Sequence, residues 1–148
     1  FKLAIEAIES FDKPYLIGAH ISEGVKLPSG ENISEIITTI NHKSLLGIIL
    51  SCVSPENYEK NLNEIKSLGV PFGFKLNGFI TTKPTSGYTN TFNKSKSGNP
   101  NEFLGHREDL VPKKMALFVK KFKEAGATIL GGCCETRPSH IKEMAKLK

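Results

Sequence analysis

Four short runs in this chain are apolar on both sides of an extended strand: Tyr15 to Ile21, Leu45 to Cys52, Val70 to Phe79 and Ala127 to Cys133. A strand wetted on one face alternates apolar with polar residues. Continuous hydrophobicity at strand length marks a parallel sheet covered on its faces, because parallel strands need crossover helices that pack onto the sheet. The intervening segments have the pattern to supply those helices. Ala4, Ala7, Ile8 and Phe11 recur at the i, i+3, i+4, i+7 spacing of one helical stripe, as do Ile33, Ile36, Ile37 and Ile40, and again Met115, Phe118, Val119 and Phe122. Tyr58, Leu62 and Ile65 mark a further helix. Ser54, Pro55 and Glu56 open it with a capping hydroxyl, a first-turn proline and an acid near the positive end of the dipole. Gly69 and Gly126 stand where helices stop.

The order is a helix, then strand and helix four times over. It predicts an α/β fold of four parallel strands alternating with helices, arranged either as a doubly wound sheet or as part of a (β/α)8 barrel. A complete barrel takes about 250 residues, so 148 residues supply roughly half of one. Phe1 opens mid-pattern with no initiator methionine, which points to the rear part of a longer protein.

Composition narrows the function classes. The net charge of +5 is carried almost wholly by lysine, since Arg107 and Arg137 are the only arginines. Nucleic-acid recognition leans on arginine forks and interleaved aromatics, so no nucleic-acid partner is expected. The densest basic run, Lys113, Lys114, Lys120, Lys121 and Lys123, falls on the polar side of an amphipathic helix and reads as a solvated face. No run of apolar residues reaches the roughly 20 a membrane helix needs, and the start shows no signal-peptide block, so neither membrane nor export is expected. Three cysteines cannot all pair within one chain, which favours a reducing, cytoplasmic setting with free thiols. A polar stretch from about Thr81 to Asp109, rich in Thr, Ser, Asn, Gly and Lys, reads either as a mobile surface insertion or as a loop over an active site.

Chemistry concentrates where two strands end. Leu46 to Cys52 carries one thiol at its C-terminal end, and Thr128 to Cys134 carries two. In parallel α/β folds that edge is where ligands bind. Neighbouring residues on a regular strand point to opposite faces, so Cys133 and Cys134 share a centre only where the backbone bends, and Gly131 and Gly132 permit a bend. Three thiolates at one point need a cation, and zinc accepts three protein ligands with an open fourth position. Spacing alone leaves three readings open: packed core cysteines, a redox-active vicinal pair, or a metal site. A truncated barrel serving as a noncatalytic or redox thiol module is the alternative to an enzyme.

The run Gly131-Gly132-Cys133-Cys134-Glu135-Thr136-Arg137-Pro138-Ser139-His140-Ile141 closely resembles the GGCC-x-T-x-P-x-H-I signature ending the zinc-dependent homocysteine S-methyltransferase domain. Ser51-Cys52-Val53-Ser54-Pro55-Glu56 is similar to that family's N-C-x-x-P-E segment. Pro71-Phe72-Gly73-Phe74-Lys75-Leu76-Asn77-Gly78 resembles its strand ending in asparagine. The resemblance implies that residues 1–148 are the C-terminal half of a (β/α)8 barrel domain, to be completed by an N-terminal half or a partner chain. It implies Cys52, Cys133 and Cys134 as zinc ligands. Asn77, at the end of the third strand, reads either as a substrate contact or as a residue capping a turn. The implied reaction transfers a methyl group to the thiol of homocysteine, giving methionine, with zinc creating and orienting the thiolate. Methyl-folate, betaine, S-methylmethionine and S-adenosylmethionine would be told apart by loops and accessory domains. Ser51 departs from the family's usual asparagine, and a hydroxyl offers fewer hydrogen bonds than an amide. His20 reads as a structural histidine, His140 as a helix-start residue satisfying backbone groups, Glu135 and Thr136 as shapers of a turn, and His106, Arg107, Glu108 and Asp109 as a solvated loop end.

Overall fold

The computed structural model describes residues 2–21, 23–38, 40, 42–82 and 101–147. Chain order is α1 (Lys2–Glu9), β1 (Tyr15–Ala19), α2 (Ser34–Ile37), β2 (Leu45–Val53), α3 (Pro55–Ser67), β3 (Phe72–Leu76), α4 (Pro112–Glu124), β4 (Ile129–Gly132) and α5 (Pro138–Ala145). Single 3-10 turns at His42–Ser44 and Glu102–Leu104 complete it. The expected alternation of helix and strand is therefore present, each strand shifted by at most a few residues at its ends. Most of the polar stretch, residues 83–100, lies outside the described residues.

All strand pairs are parallel, and the four-stranded sheet runs β1-β2-β3-β4 in chain order. A doubly wound sheet reverses direction at a switch point. Here every crossover steps to the next neighbour on the same side, as the strands of a barrel do.

The core lies between the sheet and its helices. Ile17, Ala19, Ile48, Leu50, Phe74 and Leu76 point to this side and are buried. They meet Ile33 and Ile36 from the second stripe, Tyr58 and Ile65 from α3, and Met115, Val119 and Phe122 from α4. Tyr58, Phe74 and Phe122 form a cluster with ring centroids 4.7 to 5.6 Å apart in tilted and edge-on geometries, which pins α3 and α4 to β3. Both helices stop as their glycines require: Gly69 (φ 71°) and Gly126 (φ 110°) take the left-handed conformation just past the last turn.

Two expectations need correction. The Ala4, Ala7, Ile8, Phe11 stripe is exposed, with Phe11 beyond the end of α1, and the buried residue of that helix is Ile5. Among the described side chains of this eight-residue helix, Ile5 is the one that joins the core. The strands are also covered on one face, not two. Leu16 (46% exposed) and Leu46 (54% exposed) are uncovered, as the inner wall of a barrel is when only these strands are present.

The basic face of α4 is tied more closely than a solvated run requires. Lys114 meets Asp109 at 2.6 Å, Lys120 meets Glu124 at 3.9 Å, Lys121 pairs with Glu59, and Lys123 donates to the Leu147 carbonyl. Among the described residues no helix is long and apolar enough to cross a membrane.

Candidate metal centre

Cys52 reaches the site through a break in its own strand. Pairing runs Ser51 with Lys75 and then Val53 with Leu76, so Cys52 is one extra residue on β2. The bulge puts Cys52 at φ 54°, a left-handed conformation that a side chain disfavours by roughly 1–2 kcal/mol. Strain of this kind persists where surrounding bonds over-determine it. Asn77, fully buried just past β3, supplies them. Its Nδ2 donates to the Cys52 carbonyl at 2.6 Å and lies 3.7 Å from Cys52 Sγ, its Oδ1 accepts the Phe79 N–H at 3.1 Å, and its own N–H donates to the Val53 carbonyl at 2.9 Å. The amide offers a donor to one partner and, from a separate atom, an acceptor to the other. Asn77→Ala should therefore destabilise the fold by about 1–3 kcal/mol, since it orphans a carbonyl and an N–H. A denaturant midpoint unchanged from the parent would contradict that role.

Cys133 and Cys134 follow the last residue of β4. The Cys133 N–H donates to the Leu76 carbonyl at 2.7 Å, and the Cys134 carbonyl accepts from Gly78 at 3.0 Å, so the turn is fastened to the end of β3. Thr136 Oγ1 donates back to the Cys133 carbonyl at 2.5 Å, and Glu135 takes a left-handed φ of 61°. This is the bend that brings adjacent cysteines to one side. Cys52 Sγ and Cys133 Sγ lie 3.8 and 3.9 Å from Cys134 Sγ, and all three sulfurs are within 4.8 Å of one another.

The thiols share charge unequally. A hydrogen bond from Cys52 lowers Cys133 to about 5 against its burial, helped by the Cys134 backbone and the Lys75 charge. Cys52 is pushed up by the hydrogen bond it gives Cys133 and by burial, and Cys134 by burial and the Cys133 charge. One sulfur ionises readily at the expense of its neighbours, so three thiolates together require a cation between them.

Of the remaining candidates, His140 behaves as expected. Its Nδ1 accepts the Arg137 N–H at 3.0 Å and its Nε2 donates to the Leu110 carbonyl at 2.9 Å, closing the start of α5. His20 Nδ1 donates to the Ser51 carbonyl at 3.3 Å on the strand just before the bulge. Ser51 Oγ lies 2.9 Å from where a β-carbon on Gly18 would stand, so the hydroxyl occupies a narrow space over β1. The solvated loop end needs correcting at Arg107. Its side chain is 19% exposed, forks onto Glu56 at 2.7 and 2.9 Å, and is braced by Asp109 at 2.8 and 3.0 Å. Those bonds hold the Glu56 and Asp109 carboxyls below their ordinary range. His106 Nδ1 lies 3.1 Å from Glu135 Oε2. A cavity of about 260 Å3 opens beside Asn77, between the start of α3 and the Phe79 to Thr82 segment, with Glu23, Glu56, Lys60 and Arg107 on its walls.

The family model described as homocysteine S-methyltransferase matches residues 1–147. The chain belongs to the homocysteine S-methyltransferase family. Homocysteine S-methyltransferase 1 of Zea mays is 28% identical over 126 residues, which span 84% of this chain and 35% of the maize protein. Homocysteine S-methyltransferase 1 of Saccharomyces cerevisiae is 30% identical over 157 residues, spanning 95% of this chain and 43% of the yeast protein. This homocysteine S-methyltransferase family chain thus covers well under half the length of these two relatives. Its fold matches the crystal structure of the homocysteine methyltransferase MmuM from Escherichia coli, oxidised form, with a TM-score of 0.65 at 16% identity, over 99% of this chain and 41% of that one. The four strands and their helices are a partial (β/α)8 barrel. Within this family member the cysteine cluster stands at the C-terminal ends of β2 and β4, the edge where barrels carry their sites.

Proposed function

We propose that residues 1–148 are the C-terminal, metal-holding part of a zinc-dependent homocysteine S-methyltransferase domain, with Cys52, Cys133 and Cys134 as ligands. The observation that carries this reading is the convergence of three sulfurs from two strand ends to within 4.8 Å of one another. A tetrahedral ion with metal–sulfur bonds of about 2.3 Å separates its sulfurs by about 3.8 Å; two of the three spacings here are 3.8 and 3.9 Å, and the third is within 4.8 Å. The donors are soft, and three protein ligands leave one position for a substrate atom. Zinc held there supplies Lewis acidity that favours the thiolate form of an incoming thiol.

The chain's own residues do the holding. The β2 bulge presents Cys52, and Asn77 fixes that bulge from β3. Both ends of the Asn77 amide are engaged within the protein, so we assign it to positioning Cys52; direct contact with substrate would compete with those bonds. The nearby cavity, lined by Ser54, Lys60, Asn77 and the Arg107–Glu56 pair, is polar enough to take a small amino acid such as homocysteine. In the transfer, the bond from the methyl group to the donor's sulfur or nitrogen breaks as its bond to the homocysteine sulfur forms. The thiol proton leaves to solvent and the product is methionine. The remaining barrel strands, from the same or a partner chain, and a methyl donor complete the reaction.

Elemental analysis of protein purified without chelator tests this reading. About one zinc per chain is expected, with all three free cysteines becoming reactive only after chelation. Zinc-free protein whose thiols are indifferent to chelator would overturn it in favour of a noncatalytic or redox thiol module.

A further inference from the structure

The segment returning after residues 83–100 lies along the extension of β3. Leu104 O accepts from Ile80 and Thr81 at 3.2 and 3.3 Å, His106 bridges to Phe79, and the Arg107 N–H donates to the Gly78 carbonyl at 2.8 Å. Two consecutive side chains of this segment then reach to different loops. His106 Nδ1 meets the carboxylate of Glu135, the residue after Cys134, at 3.1 Å. Arg107 grips Glu56, four residues after Cys52, through two parallel bonds of 2.7 and 2.9 Å. Asp109 and, behind it, Lys114 hold the guanidinium in that orientation. Isolated surface ion pairs contribute little. A bidentate, braced and mostly buried arginine is the geometry that does fix distances.

The acids that this segment grips lie in the first turn of α3, just after the β2 bulge, and in the turn after Cys134, and both sides are otherwise fastened to residues 76–78 at the end of β3. The Cys52 side is held by Asn77, and the Cys133–Cys134 side by Leu76 and Gly78. We infer that His106 and Arg107 are positioning residues of the metal centre, which together set the separation of Cys52 from Cys133 and Cys134. The inference rests on the metal reading above. Its chemical content is that groups holding the segments next to thiolate ligands tune affinity although they touch no metal; replacing partners bonded directly to the ligands typically weakens binding about 10- to 100-fold, and these two residues act one step further out.

Zinc affinity of the full chain, measured by competition with a chromophoric chelator, tests this together with the ligand-field spectrum of the cobalt-loaded protein. Arg107→Met should weaken zinc by up to about 10-fold and move the cobalt bands, and His106→Ala, whose single contact is more exposed, should do so by less. Arg107→Lys, which keeps the charge but not the fork, should recover only part of the loss. Lys120→Met, which removes only an exposed pair with Glu124 on α4, should change neither readout. Should Arg107→Met fail to fold, Glu56→Gln removes the same grip with nearly the same shape. Variants that lose thermal stability while zinc affinity and cobalt bands stay at parent values would overturn the inference and leave the metal reading standing. A parent chain that binds no zinc would overturn both.

Discussion

Cys133→Ala should yield a folded protein that retains no stoichiometric zinc. Loss of Cys133 Sγ leaves two sulfurs, one on the β2 bulge and one after β4. The fold should survive, because the side chain is only partly buried and the β4 fastening runs through the Cys133 backbone to Leu76, which alanine preserves. Elemental analysis beside far-UV circular dichroism separates the two effects. Zinc retained at parent level by a variant with Cys52, Cys133 and Cys134 all replaced by alanine would remove these residues from any metal role.

Phe122→Ala should have the largest effect on stability, about 3–5 kcal/mol for emptying an aromatic site. That is a large share of the roughly 5–15 kcal/mol that holds a domain folded. The ring is fully buried and touches both Tyr58 and Phe74, so its removal loosens α4 from α3 and from β3 together. Neighbours fixed on two other elements, α3 and β3, cannot collapse into the space. Urea unfolding should show a lower midpoint with little change in slope, and a loss under about 1 kcal/mol would mean that this cluster is not what joins the layers.

The elements were legible because their patterns are local. Strand-length apolar runs, the Ser54-Pro55-Glu56 start and the glycines at 69 and 126 each act within a few residues, and all lie where expected. The cysteines were legible by position, at the ends of strands, and their separation of 82 residues was closed by parallel pairing. What the pattern could not carry was contact between distant polar residues. Arg107 and Glu56 lie 51 positions apart, and each reads locally as something ordinary, a loop cation and a first-turn acid. The scarcity of arginine was the one available hint, since a fork geometry is what lysine cannot supply. The β2 bulge was equally silent, because a register shift depends on the partner strand and leaves no mark on a run such as Ile48-Ile49-Leu50-Ser51-Cys52. The α1 stripe misled for a related reason. Period shows which face of a helix is apolar but not whether anything lies against it.

The left-handed backbone at Cys52 sets two selective pressures against each other. Conformation alone favours glycine or asparagine at that position, by about 1 kcal/mol or more, while the chemistry proposed for the centre demands sulfur. A lineage released from that chemistry would gain stability by letting the thiol go, and the replacements it should fix first are those two residues, ahead of alanine or serine, which match cysteine in size but not in the backbone they favour. Position 52 is therefore a recorder: the residue that a relative carries there, read with the backbone it must adopt, reports whether the metal is still being asked for.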